Sequence, residues 1–504
     1  MQGKTFNWSR LRTTVQFLFL FLWLILWTTT AGLTWGIRAG RLPVELSPLL
    51  ALAQAIASRI LTVGMLLSLA VIALTFIFGR AWCGWICPIG TILDFFPFRN
   101  RRKTRKPIPE TWRAGKIFVL AAILLAALFG NLTLILLDPI TLWVRIMTGG
   151  IGPALNTAFT GFESLLSNIS WMNSPLMWID QALRPAVFPS GIVGARYVWL
   201  PILILIGMIT LNTIAERFWC RYLCPLGGLL GLISRFALFK RKVDGDCLAC
   251  SRCEAVCPTG TIDSTKGYAS DPAECTLCMD CLKSCPTSHI KFSPDWKPSK
   301  KMDYDPGRRQ VLLTGAITLA SLAALETKPA EGKGSNFLLR PPGAENEDLL
   351  SKCIRCGLCM RTCPTGALQA SISESGLEGV FTPVFIPRTG YCLYTCNQCG
   401  SICPVQAILP LTLDEKQSWL IGEAFIDENR CIPWADGTTC IVCEEMCPLP
   451  EKAITLEDRA IVNADGSTFT LKLPHVNRNR CIGCGICEYK CPRTGEAAIR
   501  VHRI

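Results

Sequence analysis

The 504-residue chain carries 28 cysteines, and every one falls in a regular group. Six groups hold four each. Cys247, Cys250, Cys253 and Cys257, and then Cys275, Cys278, Cys281 and Cys285, follow the spacing C-x2-C-x2-C-x3-C with proline next. The same spacing recurs at Cys353, Cys356, Cys359 and Cys363 and at Cys481, Cys484, Cys487 and Cys491. Cys392, Cys396, Cys399 and Cys403 open with x3; Cys431, Cys440, Cys443 and Cys447 open with x8. Three thiolates on a tight loop hold three irons of a cubane, and the fourth, set off by proline, reaches the cluster of a partner motif. Zinc sites use two separated pairs instead. The expectation is six [4Fe–4S] clusters. In the first pair, Cys247, Cys250, Cys253 and Cys285 should hold one, and Cys275, Cys278, Cys281 and Cys257 the other. For the last four motifs, spacing leaves open whether neighbours pair or the inner two pair within the outer two.

The remaining four cysteines form an internal repeat. One phrase is Arg80-Ala-Trp-Cys83-Gly-Trp-Ile-Cys87-Pro88-Ile-Gly90, and the other is Arg217-Phe-Trp-Cys220-Arg-Tyr-Leu-Cys224-Pro225-Leu-Gly227. On a helix, positions i and i+4 share a face, so each phrase would present two thiols together. Facing each other, Cys83, Cys87, Cys220 and Cys224 would make a soft metal or redox site. The competing reading is buried thiols packing as small apolar groups. Asp94 and Glu216 lie close by as proton acceptors or, more plainly, as solvated carboxylates.

The elements that position these groups are membrane helices. Half the chain is apolar and 18% is charged, which excludes a disordered or fibrous protein. Four apolar stretches approach the length of about 20 residues that a bilayer requires: near Val15–Leu33, Ile60–Phe78, Ile117–Leu137 and Tyr197–Ile214. Residues 1–325 hold 33 Lys+Arg against 17 Asp+Glu, and residues 326–504 hold 18 against 21. The basic excess sits at the N-terminus, in 79–116 and after the fourth stretch, so the positive-inside rule puts both ends of the four-span domain in the cytoplasm. Both Cys-x3-Cys-Pro phrases fall on that side. Nucleic-acid binding is the weaker reading of the charge. The long connection 138–196 suggests short helices on the outer surface. No histidine lies in any span, which excludes bis-histidine haem there, and Cys-x-x-Cys-His is absent. Nothing supports a flavin or nucleotide site.

The expected architecture is an α-helical membrane bundle followed by small α+β ferredoxin domains. Its parts are 1–240, with both Cys-x3-Cys-Pro phrases; a two-cluster ferredoxin, 241–295; an apolar segment and linker, 296–348; and a four-cluster ferredoxin, 349–504. The apolar segment opens with Asp305-Pro306-Gly307-Arg308-Arg309, which reads as a twin-arginine export signal. Uncleaved, it would be a fifth, short span. The alternative is a cytoplasmic interfacial helix.

These features together resemble two families. Residues 1–295 are similar to NapH-type membrane proteins, with four spans, paired Cys-x3-Cys-Pro and a two-cluster ferredoxin. Residues 305–504 resemble NapG/MauM-type exported polyferredoxins, including the order of spacings x2, x3, x8, x2. The fusion of the two is a departure from both. The resemblance implies a component of the inner membrane that takes electrons from quinol and passes them to a reductase or cytochrome outside the cytoplasm. Two further readings accompany it: an assembly factor for a redox metalloenzyme, and electron transfer between soluble carriers and quinone wholly on the cytoplasmic side.

Overall fold

A computed structural model describes residues 7–31, 34–60, 62–97, 110–184, 187, 197–244, 247–295, 313, 315–316, 318, 320, 338–372, 374–462 and 468–503. The chain divides into two compact units. The first takes residues 1–29, 39–147 and 199–324; the second takes 30–38, 148–198 and 325–504. The two-motif ferredoxin therefore belongs with the helical part. Two connections of the helical part belong with the four-motif ferredoxin.

Among the described residues of the first unit, two helices are long and apolar enough to cross a membrane: Trp8–Thr28, of 21 residues, and Thr111–Leu128, of 18. At 1.5 Å per residue the first is about 30 Å long. The other two expected spans form shorter helices, Val63–Phe78 and Trp199–Leu211. Local chemistry sets these ends. Val63–Leu67 winds as a 3-10 helix before the α-helix Ser68–Phe78 begins. The third stretch breaks where Gly130 takes a positive φ of 75°, and Thr133–Leu137 continues as a 3-10 turn. Asp138 then caps the buried helix Pro139–Ile146, accepting from the backbone N–H of Ile140 and Thr141 at 3.0 Å each.

The two-motif ferredoxin of this unit is closed by an antiparallel pair, Phe239–Val243 with Ile290–Pro294, in the register Phe239 to Pro294. A second short pair joins Ile262–Asp263 to Ala269–Ser270. Its core is built from Cys253, Cys257, Ile262, Tyr268, Cys281 and Ile290.

In the second unit, Leu368–Ala370 pairs with Pro383–Phe385, and Glu423–Ile426 with Ile499–His502. A nine-residue hairpin pairs Ile454–Val462 with Thr468–Val476. Leu339, Leu368, Phe385, Ile421, Ile454 and Ile499 share one core. The connection 148–198 supplies the helices Gly152–Leu166 and Asn173–Leu183, tied together by Arg184 through Glu163 and Asp180. Exposed Phe162, Leu165, Trp171, Met177 and Trp178 give this pair an apolar surface. The residues Arg308 and Arg309 lie outside the described residues.

Candidate metal centres

The ferredoxin loops repeat one backbone device. In four motifs the residues on either side of the middle cysteine both have positive φ: Ala249 and Ser251, Leu277 and Met279, Arg355 and Gly357, Gly483 and Gly485. Two left-handed residues bend the chain around the central cysteine, so that three thiols turn toward one point. A short helix then starts at the third cysteine or next to it, as in Arg252–Ala255 and Asp280–Ser284. Only one of these four motifs has glycine at both bends, because a side chain costs about 1–2 kcal/mol there rather than being forbidden. At Gly483 the space is also closed: a Cβ would collide with the backbone of Gly422.

The charges that bear on each thiol show which cysteines meet. Cys275, Cys278 and Cys281 all lie within electrostatic reach of Cys257. In the second unit, Cys359 is near Cys353, Cys356 and, from the next motif, Cys399 and Cys403. Cys399 is near Cys392, Cys396 and Cys363. Cys431 is near Cys440 and Cys491, and Cys484 is near Cys481 and Cys447. Neighbouring motifs therefore pair, 353–363 with 392–403 and 431–447 with 481–491. The two pairs meet where the Cys392 backbone N–H donates to the Cys484 carbonyl at 2.8 Å.

The donor set fits iron–sulfur clusters. Cys431, Cys440, Cys443 and Cys491 line one pocket together with Pro433 and Pro492. Among the described residues, no three His, Cys, Asp or Glu side chains converge at the spacing of a single ion. A cubane presents separate irons to its four thiolates, so its ligands stand wider apart than those of one ion with metal–sulfur bonds of about 2.3 Å. Burial pushes the Cys443 and Cys484 thiols up to about 12 and Cys431 to about 11. Bare, these thiols hold their protons at neutral pH. Iron must displace them, so uptake weakens as pH falls.

The Cys-x3-Cys-Pro phrases are built differently from the expected i, i+4 helical pair. Cys83 lies in the helix Ala81–Trp85, but Cys87 is extended outside it, with φ −63° and ψ 122°. Cys220 lies in a π-turn, Trp219–Leu223, and Cys224 is extended after it. Proline explains both breaks. It disfavours helix at the preceding cysteine, and it occupies the first position of the next helix, Pro88–Phe95 or Pro225–Ser234. The amides of Cys87 and Cys224 close matching turns onto the carbonyls of Trp82 and Trp219, at 3.0 and 2.9 Å.

All four of these cysteines are buried. Cys220 feels Cys83, and Cys224 feels Cys220, Cys83 and Cys87. Two arginines cross between the repeats. Arg80 donates to the Cys220 carbonyl at 3.3 Å, and Arg217 donates to the Cys83 carbonyl at 3.4 Å. Each is 1% exposed. Arg217 also forks onto Asp94 at 2.6 and 2.5 Å. Asp94 is therefore no solvated carboxylate: burial alone would raise its pKa, but Arg217 brings it below the ordinary range. Glu216 is half-buried. The buried indole N–H groups of Trp82 and Trp219, one residue before Cys83 and Cys220, have no protein acceptor. Neither the crossing arginines nor the spare donors could be read from cysteine spacing; the repeated Arg-x-Trp-Cys was their only sequence signal.

Family models match most of these motifs, and one match runs from the first ferredoxin into the second. A "4Fe-4S binding domain" model matches residues 60–107 and again 197–244, the two Cys-x3-Cys-Pro repeats. Models of a 4Fe-4S dicluster domain match 267–364 and 352–407, and a further 4Fe-4S binding domain matches 473–499. The methylamine utilization ferredoxin-type protein MauM of Methylorubrum extorquens is 34% identical over 205 residues, 39% of this chain and 89% of the relative. MauM of Methylophilus methylotrophus is 35% identical over 41% of this chain and 87% of its own length. The ferredoxin-type protein NapG of Escherichia coli is 35% identical over 37% of this chain and 81% of its own. These matches lie in the C-terminal part. No solved structure matches the chain.

Proposed function

This chain belongs to the ferredoxin-type family of MauM and NapG, and from that premise we propose that it is a quinol-linked electron-transfer component of the inner membrane, with its two ferredoxin parts on opposite sides. Its iron–sulfur electron-transfer character follows from the family and the 4Fe-4S domains. The quinol donor, the four-span NapH-like bundle, six clusters, the export of residues 349–504 and an extracytoplasmic acceptor are our reading.

One observation carries that reading. Residues 325–504 form a unit with 30–38 and 148–198, which take in the start of the first connection poor in basic residues, 36–59, and most of the second, 138–196. The two-motif ferredoxin forms a unit with the segments rich in them. Within the second unit, Arg361 donates to the Thr30 hydroxyl at 2.8 Å and to the Val187 carbonyl at 3.0 Å. Thr362 donates to the Thr30 carbonyl at 2.9 Å. Segments that pack together must share a side of the membrane. By the positive-inside rule that side is the outer one for 30–38 and 148–198, which agrees with the export reading of Arg308-Arg309.

When bound, the clusters supply one-electron transfer at potentials tuned by hydrogen bonds, charge and exposure. The chain's own residues do the rest. The Cys-x3-Cys-Pro repeats put four thiols at the cytoplasmic ends of helices, where we place a further metal or redox group. The paired motifs hold each ferredoxin ligand set from two sides. The test is membranes given quinol anaerobically. The reading expects the cluster absorbance to bleach and a cluster spectrum to appear by electron paramagnetic resonance. If quinol leaves the clusters oxidised while dithionite reduces them, the reading fails and the assembly-factor alternative takes its place.

A further inference from the structure

The two ligand sets of the first ferredoxin differ in what surrounds them. The first set opens outward: Cys250 is exposed, and Leu248 beside it is 63% exposed. The second set is carried by residues 272–281, and that segment is clamped to the helical core at many points. Arg80 donates to the Ala273 carbonyl at 3.0 Å and to Glu274 at 3.1 Å. Lys116 pairs with the other oxygen of Glu274. The Trp85 indole donates to the Leu277 carbonyl at 3.0 Å. Ser234 donates to the Pro272 carbonyl at 3.0 Å, and Arg12 pairs with Asp280 at 3.5 Å.

The backbones themselves touch. A Cβ at Gly84, between Cys83 and Trp85, would collide with the Thr276 carbonyl oxygen, and one at Gly231 would lie 3.0 Å from the Ala273 oxygen. Gly84 is therefore needed for close approach rather than for its φ. Arg217 is within electrostatic reach of both Cys220 and Cys278. A contact this close and this heavily hydrogen-bonded fixes a distance; it is not a hinge.

We propose that residues 272–281 and the paired Cys-x3-Cys-Pro motifs form a rigid electron-exchange joint. In it the ligand set of Cys257, Cys275, Cys278 and Cys281 faces Cys83, Cys87, Cys220 and Cys224, and the set of Cys247, Cys250, Cys253 and Cys285 faces a soluble partner. Trp85, Gly84 and Arg80 are positioning residues of that joint. Exchange across it would move one electron at a time between a cluster on the ferredoxin side and a thiolate-held metal group on the Cys-x3-Cys-Pro side, one reduced as the other is oxidised, and would break no bond. The proposal rests on a redox role for the four buried cysteines, and its test separates the two claims.

The experiment uses the full-length protein in detergent, comparing Trp85→Phe and Gly84→Ala with the parent. Trp85→Phe keeps an aromatic side chain of smaller size and removes the indole donor, so it serves if Gly84→Ala does not fold. Two readouts are taken. Amide hydrogen exchange over 272–281 should quicken at least tenfold in either variant, while exchange over 247–257 stays unchanged. In redox titrations followed by electron paramagnetic resonance, one ferredoxin signal should shift its midpoint and the other should not. Unchanged exchange over 272–281, or equal changes in both halves, would overturn the joint. If the joint behaves as expected but Cys224→Ser leaves iron content and spin relaxation unaltered, the redox role of the four cysteines fails and the joint survives only as a dock.

Discussion

The two ferredoxin parts use the same loop and are anchored by opposite means. The two-motif ferredoxin is held by buried charge: Arg80 and Lys116 share Glu274, and Arg12 meets Asp280. The four-motif ferredoxin is held to 30–38 and 148–198 largely by hydrogen bonds from Arg361 and Thr362 to a hydroxyl and backbone carbonyls. Buried charges are costly unless fully paired, so the first anchor is intolerant of change. The second anchor also buries a charge, the Arg361 guanidinium, but meets it with a hydroxyl and a backbone carbonyl, and such bonds are worth about 1.5–3 kcal/mol each. The difference teaches that a shared cluster fold says little about how it is mounted.

That contrast can be broken at several points. The largest effect is loss of a cluster. Cys443→Ala removes one of four thiols lining a pocket, and iron analysis should find about four iron atoms fewer per chain. Retention of full iron would show that these four cysteines do not act together. Next is the charge anchor. Arg80→Met leaves Glu274 short of a partner in a buried site, and local opening measured by hydrogen exchange over 272–281 should become easier by about 3–5 kcal/mol. The matching change in the other part, Arg361→Met, should ease opening of 353–363 by about 1.5–3 kcal/mol. An equal loss at both would erase the distinction.

Smaller effects sharpen the shared loop. Gly485 has φ 77° and Ser251 has φ 55° at equivalent positions. Gly485→Ala should destabilise its loop by at least about 1–2 kcal/mol, since a Cβ there would also crowd Pro387. Ser251→Gly relieves the left-handed strain but loses the bond between Ser251 Oγ and the Tyr268 hydroxyl, so its net change should stay within about 1 kcal/mol. Thermal loss of the cluster signal measures both. The smallest effect belongs to the exposed pair Lys352–Asp348: Lys352→Ala should cost about 0.3–0.5 kcal/mol by the same assay.

Much of the site was legible because cluster binding constrains spacing so tightly. Cys275, Cys278 and Cys281 meet Cys257 as the motif logic requires. The pairing of the last four motifs was not legible, since these spacings suit either arrangement; the electrostatic reach of Cys399 and Cys403 to Cys359 points to neighbours. Helix lengths were read too generously. Hydropathy over Ile117–Leu137 does not register that Gly130 and Asn131 end the helix at Leu128. The i, i+4 rule failed at Cys87 and Cys224 because the following prolines override it. Least legible were Asp94 and the arginines. A carboxylate near a basic loop looks solvated in sequence, and only the fold shows Arg217, 123 residues further along the chain, wrapped onto it.

The central claim is that the two ferredoxin parts lie on opposite sides of the membrane. The direct measurement is protease access to a tag after Ile504 and to a second site engineered beside Ser264 on the first ferredoxin, in spheroplasts and in inverted vesicles. The account predicts that the C-terminal tag is cut only in spheroplasts and only when the twin-arginine translocase is present, while the second site is cut only in inverted vesicles. Cleavage of both in inverted vesicles alone would contradict it and place every ferredoxin motif in the cytoplasm.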